Sequence, residues 1–560
     1  MSELNPQNNA SALLFDFPEK GLDRREFLIR AAALALSTGA LAAFLEACTS
    51  LKPAVPGSTP VIPSSPATPS PSTQLPAPSP VPGPTPVIPS PPAIPSPSAQ
   101  PPIPAPVPMP ILIPTPEPVV ALDTERGRIG HLLRRAGFGA NEQELSQFTT
   151  MGVSATVDYL VDFEKTDDSA LETRLSGINL NLDNLVDLQR WWFLRMIYTK
   201  RPLQEKMVLF WHGLLTSGYS KVGRGPYMYT QNQTLRKLCV GRYDDLLKAI
   251  ARDPAMLIWL DSQVNKKATP NENFARELME LFSMGIGNYT EGDVRESARA
   301  FTGWLISKGA FYFNADQHDN GLKLFLGRTG NFDGDDIINI ITGQPVTAEF
   351  ICRKLFSFFA YDDPSPEIVY SLISTFLNTK YSIRAVMRQI LTSPEFYSAK
   401  AYRAKIKSPV ELVAATVRTL NIGTDAAGLP GFADRMSQSL FNPFDVSGWP
   451  GGAVWINSNT LLQRLNFANT VSIARTASFQ FNPQEIVQRL NISSADGFID
   501  HFTGLLLDGN MSDEERGILK AFGSALNIPG GFANGTSPVV DEKLRSLVYL
   551  IMASPDYQLA

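Results

Sequence analysis

A 66-residue proline-rich segment limits most strongly what this chain can fold into. Residues 53–118 contain 27 of the chain's 45 prolines, a single charged residue, Glu117, and no aromatic residue. Proline fixes φ and has no backbone N–H to donate, so the segment favours polyproline II and lacks the means to build a packed core. The sequence therefore predicts a disordered Pro/Ser/Thr-rich stalk over residues 49–120. This stalk separates an N-terminal segment, 1–48, from a globular region, 121–560.

The N-terminal segment has the features of an export signal. Arg24 and Arg25 precede a modestly apolar, uncharged run over residues 31–44. An arginine pair before such a run is typical of twin-arginine signals, whose cargo is exported in folded form. We therefore expect the export partner to be the twin-arginine machinery, and the alternative is an ordinary amphipathic helix.

The end of this signal resembles a bacterial lipobox, in which a cysteine is lipidated and becomes the new N-terminus. Residues 45–48 are Leu-Glu-Ala-Cys, and Glu46 departs from the usual small or apolar residue. The pattern predicts lipidation of Cys48 and an extracytoplasmic protein, anchored to a membrane at the cell surface or periplasmic face. Cleavage elsewhere and an uncleaved anchor are the alternatives.

The charge gives no support for a nucleic-acid-binding protein, and the cysteine content gives none for a disulfide-rich protein. The chain has 49 basic and 54 acidic residues, a net charge of −5, so no basic field points to nucleic acid as a partner. Besides Cys48, only Cys239 and Cys352 are present, too few for a disulfide framework. Two buried free thiols are expected, with one bridge as the alternative.

Helical periodicity dominates the globular region. Apolar residues follow a helical repeat from Ile129 to Ala136, and Thr269–Glu272 and Ser408–Glu411 have the spacing of capping boxes. Strand-forming residues concentrate in 309–327, on both sides of Asp319-Asn320-Gly321, which is a candidate hairpin turn. We predict a mainly α, multi-helical domain with one small β-hairpin.

One internal similarity raises the possibility of two related helical halves. The sequence ILTSPEFYSA at 390–399 is similar to IMASPDYQLA at 551–560, and each follows an amphipathic pattern. A boundary inside the globular region is then expected near residue 400.

Several segments of the globular region resemble the bacterial domain-of-unknown-function family 1800. The resemblance is carried, in family order, by HLLRRAGFGA (131–140), EKMVLFWHGLLTS (205–217), NENFARELMELFSMGIGNYTEGDVRESARAFTGW (271–304), HDNGLKLFLGRTG (318–330), KSPVELVAATVRTL (407–420) and GWPGGAVWINSNTLLQRLNFAN (448–469). It implies an exported protein and brings no established activity. The family often has a second histidine two places after the FWH histidine, and this chain has Leu214 there.

Glu205 and His212 are the first candidates for a functional site. They are seven residues apart on one face of a segment whose intervening residues are all apolar, so the helix is expected to be buried. A buried carboxylate and a buried imidazole need partners. The two residues are therefore candidate metal ligands, a catalytic acid–base pair, or a structural hydrogen-bonded pair.

Two further pairs of polar residues are candidates for catalysis. Arg276 and Glu277 lie on the polar side of an amphipathic segment, where the alternatives are a cleft wall and a surface ion-pair ladder of Glu272, Arg276 and Glu280. His318 and Asp319 precede the candidate hairpin turn, where turn formation explains them without catalysis.

The remaining candidates are binding residues. His131 is placed opposite the apolar stripe of its helix, as part of an anion-binding surface or of an ordinary solvated face. Trp449 and Trp455 belong to a glycine-rich loop. Exposed, they would stack on a sugar ring, and the alternative is that they pack into the core.

Two classes of function follow from these residues. The first is an exported enzyme, most simply a hydrolase, in which His212 and His318 share a pocket with Glu205, Glu277 or Asp319 and act on an envelope or extracellular polymer. A divalent metal is one candidate cofactor for that pocket, and metal-free acid–base chemistry is the other. The second class is a non-enzymatic binding or scaffold module of the cell envelope.

Overall fold

Short helices joined by loops dominate the part of the chain that the structure describes. The structure is a computed structural model, and it describes residues 120–525 and 538–560. In these ranges strands form only small antiparallel sheets, so the predicted mainly α fold class is confirmed. The export signal and Cys48 lie outside the described residues, as does the stalk up to residue 119.

From residue 120 onward, twelve helices precede the strands of the first two sheets. They are α1 (Glu125–Arg135), α2 (Glu142–Met151), α3 (Val153–Val161), α4 (Ser169–Ser176), α5 (Leu185–Tyr198), α6 (Pro202–Leu214), α7 (Tyr219–Val222), α8 (Gly225–Leu238), α9 (Tyr243–Ala251), α10 (Pro254–Trp259), α11 (Asn273–Glu280) and α12 (Glu291–Ala300). Short 3-10 turns cover Val120–Asp123, Phe163–Lys165 and Ser262–Val264.

Eleven further helices follow in the described residues. They are α13 (Gly334–Thr342), α14 (Pro345–Phe359), α15 (Pro366–Asn378), α16 (Ile383–Thr392), α17 (Pro409–Thr419), α18 (Leu429–Arg435), α19 (Ser458–Ser472), α20 (Pro483–Leu490), α21 (Ala495–Leu507), α22 (Asp513–Ala525) and α23 (Pro538–Ala553). The 3-10 turns here cover Ala315–Gln317, Pro394–Tyr397, Gly452–Trp455 and Asp556–Gln558.

Side-chain caps set several helix starts, and one of the two predicted capping boxes forms. Ser408 accepts a hydrogen bond from the backbone N–H of Glu411, whose carboxylate accepts one from Ser408 N–H in return. The box predicted over Thr269–Glu272 is wrong, because α11 begins later, at Asn273, and the side chain of its N-cap residue, Glu272, accepts no capping hydrogen bond from the helix backbone.

The strands form two antiparallel hairpins and one small sheet. The strands are β1 (Trp304–Ser307), β2 (Ala310–Phe313), β3 (Lys323–Phe325), β4 (Arg328–Gly330), β5 (Gly423–Thr424), β6 (Arg475–Thr476) and β7 (Phe479–Gln480). β1 pairs with β2 and β3 with β4, and the third sheet has the order β5-β7-β6.

The sequence predicted a single hairpin with its turn at Asp319, and that position is wrong, because the structure has two hairpins with turns elsewhere. The actual turns are Lys308-Gly309 and Leu326-Gly327, where all four residues have positive φ, between 46° and 81°. Two-residue hairpin loops favour this geometry because its twist matches that of the strands. Asp319 lies between the hairpins and bonds to Arg299 instead.

Helix α6 lies in the core, as its apolar sequence predicts. All of its residues from Glu205 to His212 are buried, and it contacts α3, α5 and α8. Trp211, fully enclosed, donates from its indole N–H to the backbone oxygen of Cys239, 2.8 Å away. This placement is what removes Glu205 and His212 from solvent.

The last residues of the chain pack back onto earlier elements. Helix α23 contacts α19, α20, α21 and α22, and the backbone N–H of Lys407 donates to the Gln558 oxygen at 2.9 Å. Contacts between α5 and α17 cross the region near residue 400. The division predicted there stays a prediction.

Two observations concern the cysteines and the membrane. Cys239 and Cys352 are buried free thiols, as expected. Within the described ranges, every helix is too short or too polar to cross a bilayer.

Candidate functional site

Glu205 forms a buried ion pair with a partner that its sequence neighbours did not indicate. Its side chain is 1 % exposed, and Arg236 of α8 donates from Nε at 2.7 Å and from Nη2 at 2.8 Å to its two oxygens. Trp192 of α5 adds an indole N–H at 2.9 Å from Oε2. Burial raises the pKa of Glu205, but the charges of Arg236 and Arg195 and the hydrogen bonds from Arg236 and Trp192 together outweigh burial and lower the pKa below its usual range. Glu205 is therefore a charged, fully paired carboxylate.

His212 is enclosed by aromatic rings and acts as a hydrogen-bond acceptor. The backbone N–H of Phe441 donates to its Nε2 at 3.2 Å. The rings of Trp192, Phe441 and Trp449 surround it with centroid distances of 5.5, 5.6 and 5.4 Å. Burial lowers its pKa to about 3, so the imidazole is neutral at neutral pH.

Trp192 lies between the two residues that the sequence placed on one helical face. Its indole N–H bonds to Glu205, and its ring packs edge-on against His212. Glu205 and His212 thus share a neighbour while each has its own hydrogen-bond partner. Glu205 and His212 do not bond to each other as the predicted hydrogen-bonded pair would, because both oxygens of Glu205 and the Nε2 of His212 are occupied by other partners.

Arg276 and Glu277 lie at the surface, but the predicted ladder of contacts is different. Arg276 donates from Nη1 and Nη2 to the two oxygens of Glu291, at 2.7 and 2.8 Å, and only weakly to Glu272, at 3.4 Å. Glu280, the third member of the predicted ladder, accepts from Tyr289 instead. Partial burial, together with the charge of Glu280, raises the pKa of Glu277.

His318 and Asp319 are held by the chain segment just before β1. The Nδ1 of His318 lies 2.9 Å from the backbone oxygen of Thr302, so this nitrogen carries the proton and donates. Asp319 accepts from Nε of Arg299 at 2.7 Å, and this bond lowers its pKa to about 2. Both residues therefore stabilise the connection between the hairpins.

The predicted shared pocket of His212 and His318 is not supported by their contacts. His212 contacts α5 and the loop after α18, whereas His318 contacts Thr302 and Phe313. Across residues 120–525 and 538–560, no three His, Cys, Asp or Glu side chains come together as a metal centre would require. The catalytic roles assigned to these residues stay predictions.

His131 was predicted at the surface, and that prediction is wrong. Its ring is fully buried, and its Nε2 lies 2.9 Å from the backbone oxygen of Phe396. The 3-10 turn Pro394–Tyr397, which follows α16, covers the side of α1 that the helical repeat left polar. Burial and the charges of Arg134 and Arg135 lower the pKa of His131 well below its ordinary value.

The glycine-rich loop packs against the end of α6. Gly448 has a φ of +85°, and a Cβ atom there would lie 2.3 Å from the backbone oxygen of Gly213. Trp449 is half-buried against His212. Trp455 is buried in the core, so it is unable to stack on a sugar ring.

A polar pocket between α1, α17 and the end of α21 was not predicted. Its charged lining residues are Arg134, Lys407 and Asp508, and Thr419 and Tyr557 add hydroxyl groups. Arg134 and Lys407 each belong to a segment that resembles the family, HLLRRAGFGA and KSPVELVAATVRTL. Basic residues beside a helical repeat are common, however, and these lining residues lie far apart in the chain. The sequence therefore contains no pattern that predicts their contact.

Comparison with known proteins gives one match. Residues 131–559 match the family described as "Protein of unknown function (DUF1800)". No curated protein and no solved structure matches the chain. The chain belongs to this family of proteins of unknown function.

Proposed function

We propose that this member of the family is an exported, lipid-anchored protein whose helical head acts as a non-enzymatic binding or scaffold module of the cell envelope. The observation that carries the proposal is the internal pairing of the candidate catalytic groups. Glu205 is bonded to Arg236 and Trp192, and His212 accepts from the backbone of Phe441.

Access is the physical reason why this pairing favours binding over catalysis. A general base has to reach the proton that it removes, directly or through one water. Glu205 and His212 are each 1 % exposed, and His212 is neutral with its Nε2 occupied. A hydrolase that acts through these residues would have to open the core of the head to reach its substrate.

The proposed location rests on the N-terminal sequence. Arg24 and Arg25 would direct export by the twin-arginine machinery, and lipidation of Cys48 would anchor the chain to a membrane. The uncharged, proline-rich stalk would then hold the head away from the bilayer, where an envelope polymer is the expected partner.

Replacement of the two cysteine types tests the anchor. Cys48→Ala is expected to move the protein from the membrane fraction to the soluble fraction of disrupted cells. The matched control is Cys352→Ala, which alters a buried thiol in the head and is expected to leave the protein with the membranes. A Cys48→Ala protein that stays membrane-bound would show that the lipobox assignment is wrong.

Conservative changes in the signal test the export route. Arg24→Lys combined with Arg25→Lys is expected to leave the protein in the cytoplasm, because twin-arginine export depends on the arginine pair. Arg30→Lys makes the same change five residues further on and is expected to be exported normally. Normal export of the double variant would contradict this route.

A further inference from the structure

The pocket between α1, α17 and the end of α21 has the chemistry of a small anion site. Its cavity measures about 30 Å³, enough for a few heavy atoms. The side chain of Arg134 is slightly exposed, whereas those of Asp508, Lys407 and Tyr557 are buried. Apolar residues complete its walls: Leu133, Leu145 and Leu506.

Arg134 lines this pocket and has two hydrogen-bond donors that the described residues leave unpaired. Its side chain is 10 % exposed, and its Nη1 lies 2.7 Å from Oδ2 of Asp508. Its Nε and Nη2 are buried without a hydrogen-bond partner, and in the described part of the chain no other side chain has two such atoms. These two nitrogens share one edge of the guanidinium group, and that edge matches the spacing of two carboxylate oxygens.

Lys407 is a second basic group in the lining of the pocket. It is 3 % exposed, and its Nζ donates to the backbone oxygen of Tyr557 at 2.7 Å. Among the described residues it has no carboxylate within ion-pair distance. Burial, together with the charges of Arg134 and Arg403, lowers its pKa well below the ordinary value.

The nearby carboxylates pair with arginines and leave Lys407 without an acidic partner in the described residues. Asp508 pairs with Arg134, and Asp556 pairs with Arg403 at 3.0 Å. The charge of Arg464 also lowers the pKa of Lys407. Arg464 donates to the Lys407 backbone oxygen and has no carboxylate partner in the described ranges. An anion in the pocket would give Lys407 an acidic partner and would favour its protonated form, since a buried charge is stable only when it is paired.

We propose that this pocket binds a carboxylate group, held side-on by Nε and Nη2 of Arg134 with Lys407 behind it. Because the cavity is small, the pocket takes the carboxylate group itself, and the rest of the ligand lies outside it. The group belongs to a small free carboxylic acid or to the exposed end of an acidic envelope polymer. The site does not depend on export or anchoring, so its failure would leave the proposed function untouched.

Thermal unfolding of the full-length protein tests the site, with sodium acetate as the probe and sodium chloride at equal ionic strength as the reference. A ligand that binds the folded state raises Tm. At about 50 mM acetate we expect Tm to rise by about 2 °C or more above the chloride reference. No acetate-specific rise in the wild-type protein would overturn the proposal.

Two variants connect the response to the pocket. Arg134→Lys keeps a positive charge near Asp508 but removes the side-on pair of donors, and it is expected to weaken acetate binding by about tenfold or more. Arg128→Lys is the matched control, since Arg128 lies on the same helix, is half-exposed and pairs with Glu125. It is expected to respond as the wild type does.

Lys407→Met is a second variant of the pocket, which keeps the proposal testable if the Arg134 variant fails to fold. It leaves the Arg134–Asp508 pair in place and should also weaken the acetate response several-fold. A full response to acetate in a folded Arg134→Lys or Lys407→Met variant would contradict the assignment.

The source of the carboxylate is distinguished with a polyuronate, a polymer that has a carboxylate on each sugar. Binding of polyuronate to the full-length protein that acetate displaces would assign the ligand to a polymer. An acetate response without polyuronate binding would assign it to a free acid. Both results support the carboxylate site, and polyuronate binding that acetate does not displace would contradict it.

Discussion

At the residue scale, the protein keeps His212 uncharged. The folded pKa is about 3, whereas a histidine in an unfolded chain has a pKa of about 6.5. As the pH falls through 6.5, His212 binds a proton in the unfolded state but stays unprotonated in the folded state. The stability that His212 contributes is therefore present above pH 6.5 and is lost progressively between pH 6.5 and 3.

A pair of substitutions separates the charge of His212 from its hydrogen bond. His212→Gln keeps an acceptor for the Phe441 N–H without a titrating group, so its free energy of unfolding should change less than that of the wild type between pH 7 and 5. His212→Phe leaves that N–H unpaired and should lower the free energy of unfolding by about 1–3 kcal/mol at pH 7. Urea unfolding measures both, and a His212→Phe variant as stable as the wild type would contradict the assignment.

Asp253 titrates in the opposite sense. It caps α10 by accepting from the Met256 N–H at 3.1 Å, and it also accepts from Gln231 at 2.9 Å. Burial raises its pKa to about 7, above the unfolded value of about 3.9. Its contribution to stability is therefore full below pH 3.9 and is lost as the pH rises to about 7.

Asp253→Asn should remove this loss. The amide oxygen still accepts both hydrogen bonds, so the variant should gain stability over the wild type when the pH rises from 5 to 8. Asp316→Asn, a change at an exposed position, is the control and should leave the pH dependence unchanged. Chemical unfolding at both pH values measures the difference, and an equal pH dependence in wild type and Asp253→Asn would contradict the shifted pKa.

Sequence spacing identified residues that need partners but not the partners themselves. Glu205 and His212 were placed on one buried helical face, and the structure confirms the burial. Their partners, Arg236 and Phe441, lie 31 and 229 residues away in the chain. Helical periodicity compares residues within a few turns, so it contains no information about contacts that tertiary packing creates.

At the scale of elements, helices were easier to predict than turns. The repeat from Ile129 to Ala136 predicts α1 because an amphipathic stripe extends over several turns. The hairpins depend on Lys308-Gly309 and Leu326-Gly327, each of which places a non-glycine residue at positive φ. Asp319-Asn320-Gly321 has the more usual turn composition, which is why the sequence favoured the wrong position.

Substitutions in the loop after α18 test how closely this loop packs on α6. Gly448→Ala would place a methyl group 2.3 Å from the Gly213 oxygen in a left-handed backbone conformation, and the free energy of unfolding should fall by about 2–5 kcal/mol. Gly451 also has a positive φ, +69°, but open space around it. Its ψ of −173° lies in a backbone region that is nearly exclusive to glycine, so Gly451→Ala should cost about 1–3 kcal/mol from backbone strain alone. Equal losses in the two variants would contradict the close packing of this loop on α6.

At the scale of the whole molecule, the predicted stalk and the helical head suggest a division of tasks. In polyproline II, 66 residues would extend on the order of 200 Å. Such a spacer would hold a head at a distance from the membrane, where a binding surface is useful. The internal pairs of Glu205 and His212 would then maintain the fold of the head.

The most direct test of this account uses isolated cell envelopes from the source bacterium and the purified Cys48→Ala protein. The account predicts that the protein sediments with the envelopes and releases no soluble polymer fragments above the buffer control during prolonged incubation. Absence of binding would contradict a binding or scaffold module. Release of fragments by this protein, and not by the same protein with His212→Gln, would contradict the central claim and show a hydrolase that uses His212.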